Sequence, residues 1–297
     1  MQEPRPTTGT ASNVAAYRAL EHQRAPGERL FDDPYAIRFL PLAYRWLVRA
    51  ARLPGVRPMI ERYADHLAPG ARTSAVARTR LIDGWLDEQV AAGVRQVVIL
   101  GAGFDCRALR LPALAAVDVF EVDRPAMMAF KNAQLGDVPR PRLCRLAVDF
   151  RRDDLAARLD AAGYARGVRT MFVWEGVTNY LDEGAVAAVF DFIARTVAPG
   201  SSIAFTYVHA DAIAGRFDAI GLEPLLAALV ARGEPWTFGF VPDELPAFLT
   251  AHGLRLVVDL DAVRYRRLCW PTFPERGAGY EFYHAVLAEV PDAARQA

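Results

Sequence analysis

From about residue 95 onward the chain alternates short apolar runs, rich in β-branched and aromatic residues, with longer segments of helical period. The runs cover residues 96–100, 117–122, 143–148, 171–174, 203–208, 254–260 and 281–288. Between the first five lie 105–109, 125–135, 153–162 and 183–197, which read as crossover helices. A parallel neighbour cannot be reached through a tight turn, so strand–helix alternation specifies a parallel sheet. The last two runs differ. The stretch 261–279 between them is polar, contains Pro271 and Pro274, and does not read as an ordinary helical crossover. The expectation is an α/β protein whose sheet has seven strands, the last of them antiparallel.

Two regions stand outside this alternation. Residues 1–73 lack strand runs and read as helices broken by prolines at 26, 34, 41, 54, 58 and 69. Residues 210–240 follow the fifth strand and carry Phe217, Trp236, Phe238 and Phe240. Ligands of open α/β sheets bind at the carboxyl ends of strands, so an insertion there sits beside the ligand. Both regions are expected to cap one catalytic domain: a helical N-terminal cap at 1–73, and a domain at 74–297 with a lid insertion at about 210–240.

The chain has 297 residues, 53% of them hydrophobic, which is ample for a large core. Thirty-five basic and 35 acidic residues cancel, so no global charge draws it to nucleic acid or an anionic membrane. Lys131 is the one lysine among them. Three widely spaced cysteines make neither a disulfide framework nor a metal pair. No secretory signal and no apolar run of about 18 residues are evident. A cytoplasmic protein with no nucleic-acid or membrane partner is expected.

The sharpest local pattern is VVILGAGFDCRAL at 97–109. An apolar strand enters Gly101-Ala102-Gly103, where glycines let the backbone turn tightly and approach a ligand. Twenty residues past Gly103 the second strand ends in FEVD, putting Glu121 and Asp123 where Rossmann-type sites bind ribose hydroxyls. A dinucleotide fingerprint wants glycine where Cys106 stands, and Asp105 in the same turn repels a pyrophosphate. A phosphate-free zwitterion such as S-adenosylmethionine tolerates Asp105, whose carboxylate can serve its amino group; NAD is the alternative. The third strand ends in Asp149-Phe150, which suits either an adenine contact or a helix N-cap. The fourth ends in Glu175-Gly176, and a carboxylate buried there needs a ligand or an arginine.

These residues carry a family resemblance. NVAAYRAL (13–20), DDPY (32–35), ARTRLID (77–83), VILGAGFDCRALRL (98–111), VFEVDRP (119–125), AVDF (147–150) and EGVTNYL (175–181) resemble the leucine carboxyl methyltransferase family, in particular its bacterial branch of S-adenosylmethionine-dependent methyltransferases. The likeness is good over residues 12–210 and loose beyond. It implies a Rossmann-like class I methyltransferase sheet with S-adenosylmethionine as cofactor. By position it implies Arg78 at the cofactor carboxylate, Gly101 against its methionine portion and Asp123 on the ribose. Asp149 and Phe150 fall at the adenine, Glu175 near the amino end, and Arg18 is the candidate basic residue of the N-terminal helix. Ala102, Gly103, Asp105, Glu121, Arg124 and Gly176 adjoin these and are grouped with the cofactor site. The family usually has Asp-Leu at 149–150; Phe150 preserves the backbone and apolar contacts.

Methyl transfer from a sulfonium is an in-line displacement governed by positioning. A carboxylate acceptor is already ionised at neutral pH and needs no general base. A phenol or alcohol needs one, and Tyr207 and His209 on the fifth strand's end are the candidates, with ordinary strand-end roles as their other reading. His22, His66, His252 and His284 lack metal-ligand spacing, and no metal is expected. The chain has no GxSxG elbow and no P-loop. The expected activity is O-methylation of a small-molecule or peptide carboxylate. The alternatives are methylation of a hydroxyl or phenol, an NAD-binding oxidoreductase, or a non-catalytic S-adenosylmethionine-binding protein.

Overall fold

The computed structural model describes residues 9–136, 138–149, 153–274 and 278–292. Its centre is one seven-stranded sheet in the order β3-β2-β1-β4-β5-β7-β6. The strands are β1 (Gln96–Leu100), β2 (Asp118–Asp123), β3 (Leu143–Ala147), β4 (Thr170–Trp174), β5 (Ser202–Val208), β6 (Arg255–Asp261) and β7 (Tyr283–Glu289). β1 to β5 are mutually parallel, while β7 lies between β5 and β6 and is antiparallel to both. The sequence runs therefore correspond to the strands, and the last is antiparallel as expected.

β1, β4 and β5 are buried along their whole length. Apolar residues fill both of their faces because helices cover both. Alternation along β1 sends Val97 and Ile99 to one layer and Val98 and Leu100 to the other. The first layer packs against Ile82, Trp85 and Leu86 of a long helix, which precedes β1; the second packs against Val186, Phe190 and Ile193 from the segment after β4.

In chain order the helices are α1 (Thr10–His22), α2 (Leu42–Ala50), α3 (Val56–Leu67), α4 (Ala71–Ala91), α5 (Arg107–Arg110), α6 (Pro125–Leu135), α7 (Leu155–Ala161), α8 (Glu183–Thr196), α9 (Ala210–Ile213), α10 (Leu222–Ala231), α11 (Leu245–Ala251) and α12 (Ala262–Cys269). The first crossover is shorter than the pattern suggests: α5 is one turn, followed by a 3-10 turn at Pro112–Ala116. The larger departure is α12, inside the stretch read as a polar interruption. Asp261 caps it by accepting from Arg264 N at 2.8 Å. Its inner face buries Tyr265 and Arg266, and Arg266 donates to the carbonyls of Gly279 at 2.8 Å and Gly70 at 2.6 Å. An arginine that satisfies backbone carbonyls reads as surface in a hydropathy pattern, which is why this helix was not legible.

The N-terminal helices share a third apolar cluster in which Ala15, Phe39, Val48 and Ile60 meet Phe104 and Cys106 of the loop after β1. The 210–240 insertion leaves and rejoins the end of β5. Phe240 N donates to Val208 O at 3.2 Å, and Ala210 N donates to Phe240 O at 2.9 Å. At its far end Glu234 accepts from Thr10 N at 3.3 Å and Thr10 Oγ1 at 3.0 Å, so the insertion touches the start of α1. Gly239 closes the insertion onto β5, where a Cβ would run into the Val208 carbonyl oxygen. Gly239→Ala should lower stability by about 1–3 kcal/mol in urea titration, the usual cost of forcing extra volume into a packed site. Gly27→Ala, with open space around the new methyl, should stay within about 0.5 kcal/mol of wild type.

Candidate active site

The order in which strands are added reverses between β1 and β4: β2 and β3 are laid down on one side, β4 and β5 on the other. The crevice at such a switch point is where open α/β sheets bind ligands. Gly101 and Gly103 occupy it with φ of 64° and 34°, the left-handed region that glycine enters without strain. Val177, just past β4, packs over Gly101 so closely that a Cβ would clash with it. A Cβ on Gly103 would meet the Gly101 carbonyl oxygen at 3.7 Å and Asp123 Oδ2 at 3.8 Å, ordinary contacts, so nothing crowds that position.

Asp123 ends β2 and braces this loop. Its carboxylate accepts from Gly103 N at 2.6 Å and Arg124 N at 2.7 Å. Burial raises its pKa, opposed by those two N–H donors and by the charges of Arg124 and Lys131. Glu121, two residues earlier, has a different environment. It is wholly buried, with Lys131 Nζ at 2.9 Å and Arg145 Nε at 3.0 Å. Lys131 also donates to Ala102 O at 3.3 Å. The structure thus puts Glu121 beneath the glycine loop, in a buried ion cluster that supports it.

Arg107, which the sequence reading left out of the site, joins three elements. Its buried guanidinium lies 2.8 Å from Asp83 of α4, 2.5 Å from Asp105 of the glycine loop and 2.7 Å from Glu175 at the end of β4. Arg78 of α4 approaches the other oxygen of Glu175 at 2.7 Å and lies over the Tyr283 ring, 4.7 Å from its centre. Arg110 clamps both oxygens of Asp83 at 2.7 and 2.8 Å and comes within 3.6 Å of Asp33. Arg18 of α1 lies 3.6 Å from Asp33 and donates to the Phe104 carbonyl. Burial raises the Glu175 pKa, but Arg107 and Arg78 more than offset it and hold the group at about 2. Asp105 is likewise depressed, burial being outweighed by Arg107, Arg18 and Lys131.

Gly176 continues the crevice, its N–H donating to Thr206 Oγ1 at 2.8 Å; Thr206 Oγ1 is 3.4 Å from the Tyr283 hydroxyl. Arg18, Arg78, the 101–105 loop, Asp123, Arg124, Glu175 and Gly176 are therefore linked through one set of contacts. Asp149 is half-buried past β3, its N–H donating to Asp153 Oδ2 at 2.8 Å. Phe150 lies outside the described residues.

The two candidate bases are not brought into this set. Tyr207 points to the opposite face of the sheet, where its hydroxyl donates to Asp259 at 2.6 Å and lies 3.0 Å from His284 Nδ1. Burial and Asp259 push its pKa up strongly. His209 Nδ1 accepts from Asp211 N at 3.1 Å and caps α9; burial, then His284, lowers its pKa. The insertion's aromatics also divide. Phe238 and Phe240 pack with Phe205 and Phe248 on the Tyr207 side. Phe217 and Trp236 meet Phe282, which adjoins Tyr280 and Tyr283 on the Arg78 side.

Comparison with known proteins shows the family and the fold. The model of the leucine carboxyl methyltransferase family matches residues 11–194. A Streptomyces coelicolor relative named "Putative S-adenosyl-L-methionine-dependent methyltransferase" is 34% identical over 258 residues, covering 84% of each chain. A second relative of that name and organism is 37% identical over 66% of this chain, a match spanning 64% of the relative's length. A crystal structure from Thermobifida fusca titled as a "putative methyltransferase" shares the fold, with TM-score 0.60 and 18% identity over 97% of this chain and 96% of that one.

The Glu175 charge has a measurable consequence. Its folded pKa is depressed from 4.5 to about 2, so its contribution to stability is present above pH 4.5 and lost as pH falls toward 2. Glu175→Gln should be less stable than wild type at neutral pH, and the gap between their urea midpoints should close across that window. A gap that stays constant there removes the charge from the account.

Proposed function

Since the chain belongs to the leucine carboxyl methyltransferase family of S-adenosylmethionine-dependent methyltransferases, we propose that it forms a methyl ester on a carboxylate of a small molecule or peptide. The observation that carries the carboxylate reading is that Tyr207 is turned to the opposite face of the sheet and that His209, though its ring meets Phe217, already uses Nδ1 to accept a backbone N–H. Tyr207 is bonded to Asp259 across the sheet, and His209 caps a helix. Tyr180, near Tyr283, and Tyr280, near Arg78, have pKa values raised first by burial and remain protonated at neutral pH. An acceptor that arrives ionised needs none of them.

The residues present fit the cofactor. The glycine loop has no side chain at 101 and 103 to hinder backbone approach, and the crevice offers opposite charges side by side in Arg78 and Glu175. A zwitterionic amino-acid moiety suits that pair: its carboxylate toward Arg78, its ammonium toward Glu175. Asp123, each of whose oxygens takes one N–H group, would accept from the ribose hydroxyls with its remaining lone pairs. Glu121 and Lys131 act from beneath by holding the loop, and Arg107 holds Glu175 ionised. Asp149 would take the adenine edge from its place past β3. The cofactor supplies an electrophilic methyl on a sulfonium. Its transfer to a carboxylate oxygen forms a C–O bond as the C–S bond breaks, and no proton moves.

The described part of the N-terminal cap, residues 9–73, and the 210–240 insertion form the acceptor's enclosure in this reading. The Thr10–Glu234 contact joins them, and Trp236, Phe217, Phe282 and the tyrosines give that side an aromatic lining.

With methyl-labelled S-adenosylmethionine and a panel of carboxylates and phenols, the labelled product should release volatile methanol in mild alkali, as esters do. A base-stable product would overturn the carboxylate reading. Asp123→Ala should weaken S-adenosylhomocysteine binding in calorimetry by about 1–3 kcal/mol, the cost of losing a buried hydrogen-bond partner. Unchanged affinity takes Asp123 off the ribose.

A further inference from the structure

Eight of the twelve large apolar side chains that stand exposed among the described residues fall within residues 42–67. They are concentrated on two short helices. On α2, Leu42 and Trp46 lie one turn apart and are 66% and 63% exposed. On α3, Met59, Tyr63 and Leu67 make a stripe at four-residue spacing, each more than 60% exposed, and Leu53 continues it through the connecting turn. The same helices bury Val48 and Ile60 in the cluster shared with α1 and Phe104, Ile60 lying at the edge of the α3 stripe. Each helix thus has an apolar residue satisfied inside the protein and others facing out.

The surroundings of this face are basic. A cavity of about 490 Å3 beside it is lined by Arg24, Arg29, Arg52 and Arg57, with His22 and Glu28. A second, of about 370 Å3, shares His22, Gln23 and Arg52 and adds Arg49. Some of this charge is answered internally: Arg24 meets Glu21 and Glu61, Arg29 meets Asp32, and Arg57 lies 3.9 Å from Glu28 and Glu61. His22 also meets Asp32. Arg49 and Arg52 have no carboxylate partner among the described residues. Arg49 lies over the Trp46 ring at 5.6 Å, and Arg52 donates to the neutral Gln23. Arg62, between Met59 and Tyr63, is exposed.

We propose that α2 and α3 dock the protein on an anionic phospholipid surface, with the apolar stripes at the acyl boundary and phosphate headgroups in the clefts of Arg49 and Arg52. Amphipathic helices with aromatic and leucine side chains on one side and arginines around them bind such surfaces lying in the interface plane. Spanning is not at issue, since no helix among the described residues is long and apolar enough to cross a membrane. The charge pattern separates this partner from a second copy of the chain. A two-fold contact through this face would bring each copy's Arg49, Arg52 and Arg62 toward its mate's, whereas a phosphate-bearing surface complements them. The zero net charge of the whole chain conceals this local asymmetry.

The test is sedimentation of the full chain with phosphatidylcholine vesicles, with and without phosphatidylglycerol. Binding should require phosphatidylglycerol and weaken at high salt. The triple substitution Trp46→Ser, Met59→Ser and Leu67→Ser should lower vesicle affinity about tenfold or more while leaving the thermal midpoint unchanged, since all three side chains are solvent-facing. The pair Arg49→Gln and Arg52→Gln should lower it by about tenfold as well. Equal sedimentation with and without phosphatidylglycerol, or variants that bind like wild type, would overturn the proposal. So would a wild-type dimer in ultracentrifugation that ignores vesicles and that the triple substitution splits into monomers; the face would then be a subunit contact.

Discussion

The site depends on the guanidinium of Arg107 holding three carboxylates that come from three separate elements. Asp83 belongs to α4, Asp105 to the glycine loop and Glu175 to the end of β4. An arginine suits this position because its planar fork offers five donors in fixed directions and its charge is permanent. The pairing runs outward through Arg78 on one side and through Arg110, Asp33 and Arg18 on the other. Four cations face four anions in a region almost closed to water, so each is costly to bury alone and tolerable only in company. Removing one member strands its partners, which makes the network a constraint on geometry. It fixes where the first loop, the fourth strand's end and α1 stand relative to one another.

Sheet topology supplies the rest. Because β7 runs antiparallel to β5, its first residue arrives at the rim where the parallel strands finish, and Tyr283 pairs with Val208 there. That places a ring under Arg78 and a hydroxyl near Thr206. A parallel seventh strand would present its last residue at this rim, and Tyr283 would lie at the far end. The antiparallel insertion therefore contributes directly to the crevice as well as completing the sheet.

The sequence reading reached the strands, the glycine loop and the acidic strand ends because each is a local pattern: an apolar run, a turn needing positive φ, a carboxylate next to a glycine. It grouped Glu121 with Asp123 because both sit at the same strand end, and only the packing of α6 against β2 and β3 shows that Lys131 and Arg145 take one of them and leave the other. Tyr207 and His209 looked competent as bases for the same reason. Strand parity sends Tyr207 away from Thr206 and Tyr283 to the face where Asp259, 52 residues further on, accepts its hydrogen bond. Parity was visible in the sequence, but which face held the crevice was not. Helix α12 was hidden by its arginines, one of which is fully buried on backbone carbonyls.

The sequence by itself determined the α/β class, the seven strands to within two residues of their bounds, the antiparallel last strand and the family. All of these follow from periodicity, turn chemistry and motifs carried by neighbouring residues. The tertiary structure alone decided that Arg107 joins Asp83 and Glu175, that Tyr283 lies under Arg78, and that the outward faces of α2 and α3 meet no partner among the described residues. These are encounters between residues tens to hundreds of positions apart. Charge pairing and burial settle them once the chain has closed on itself, and no local pattern records which distant side chain will be there.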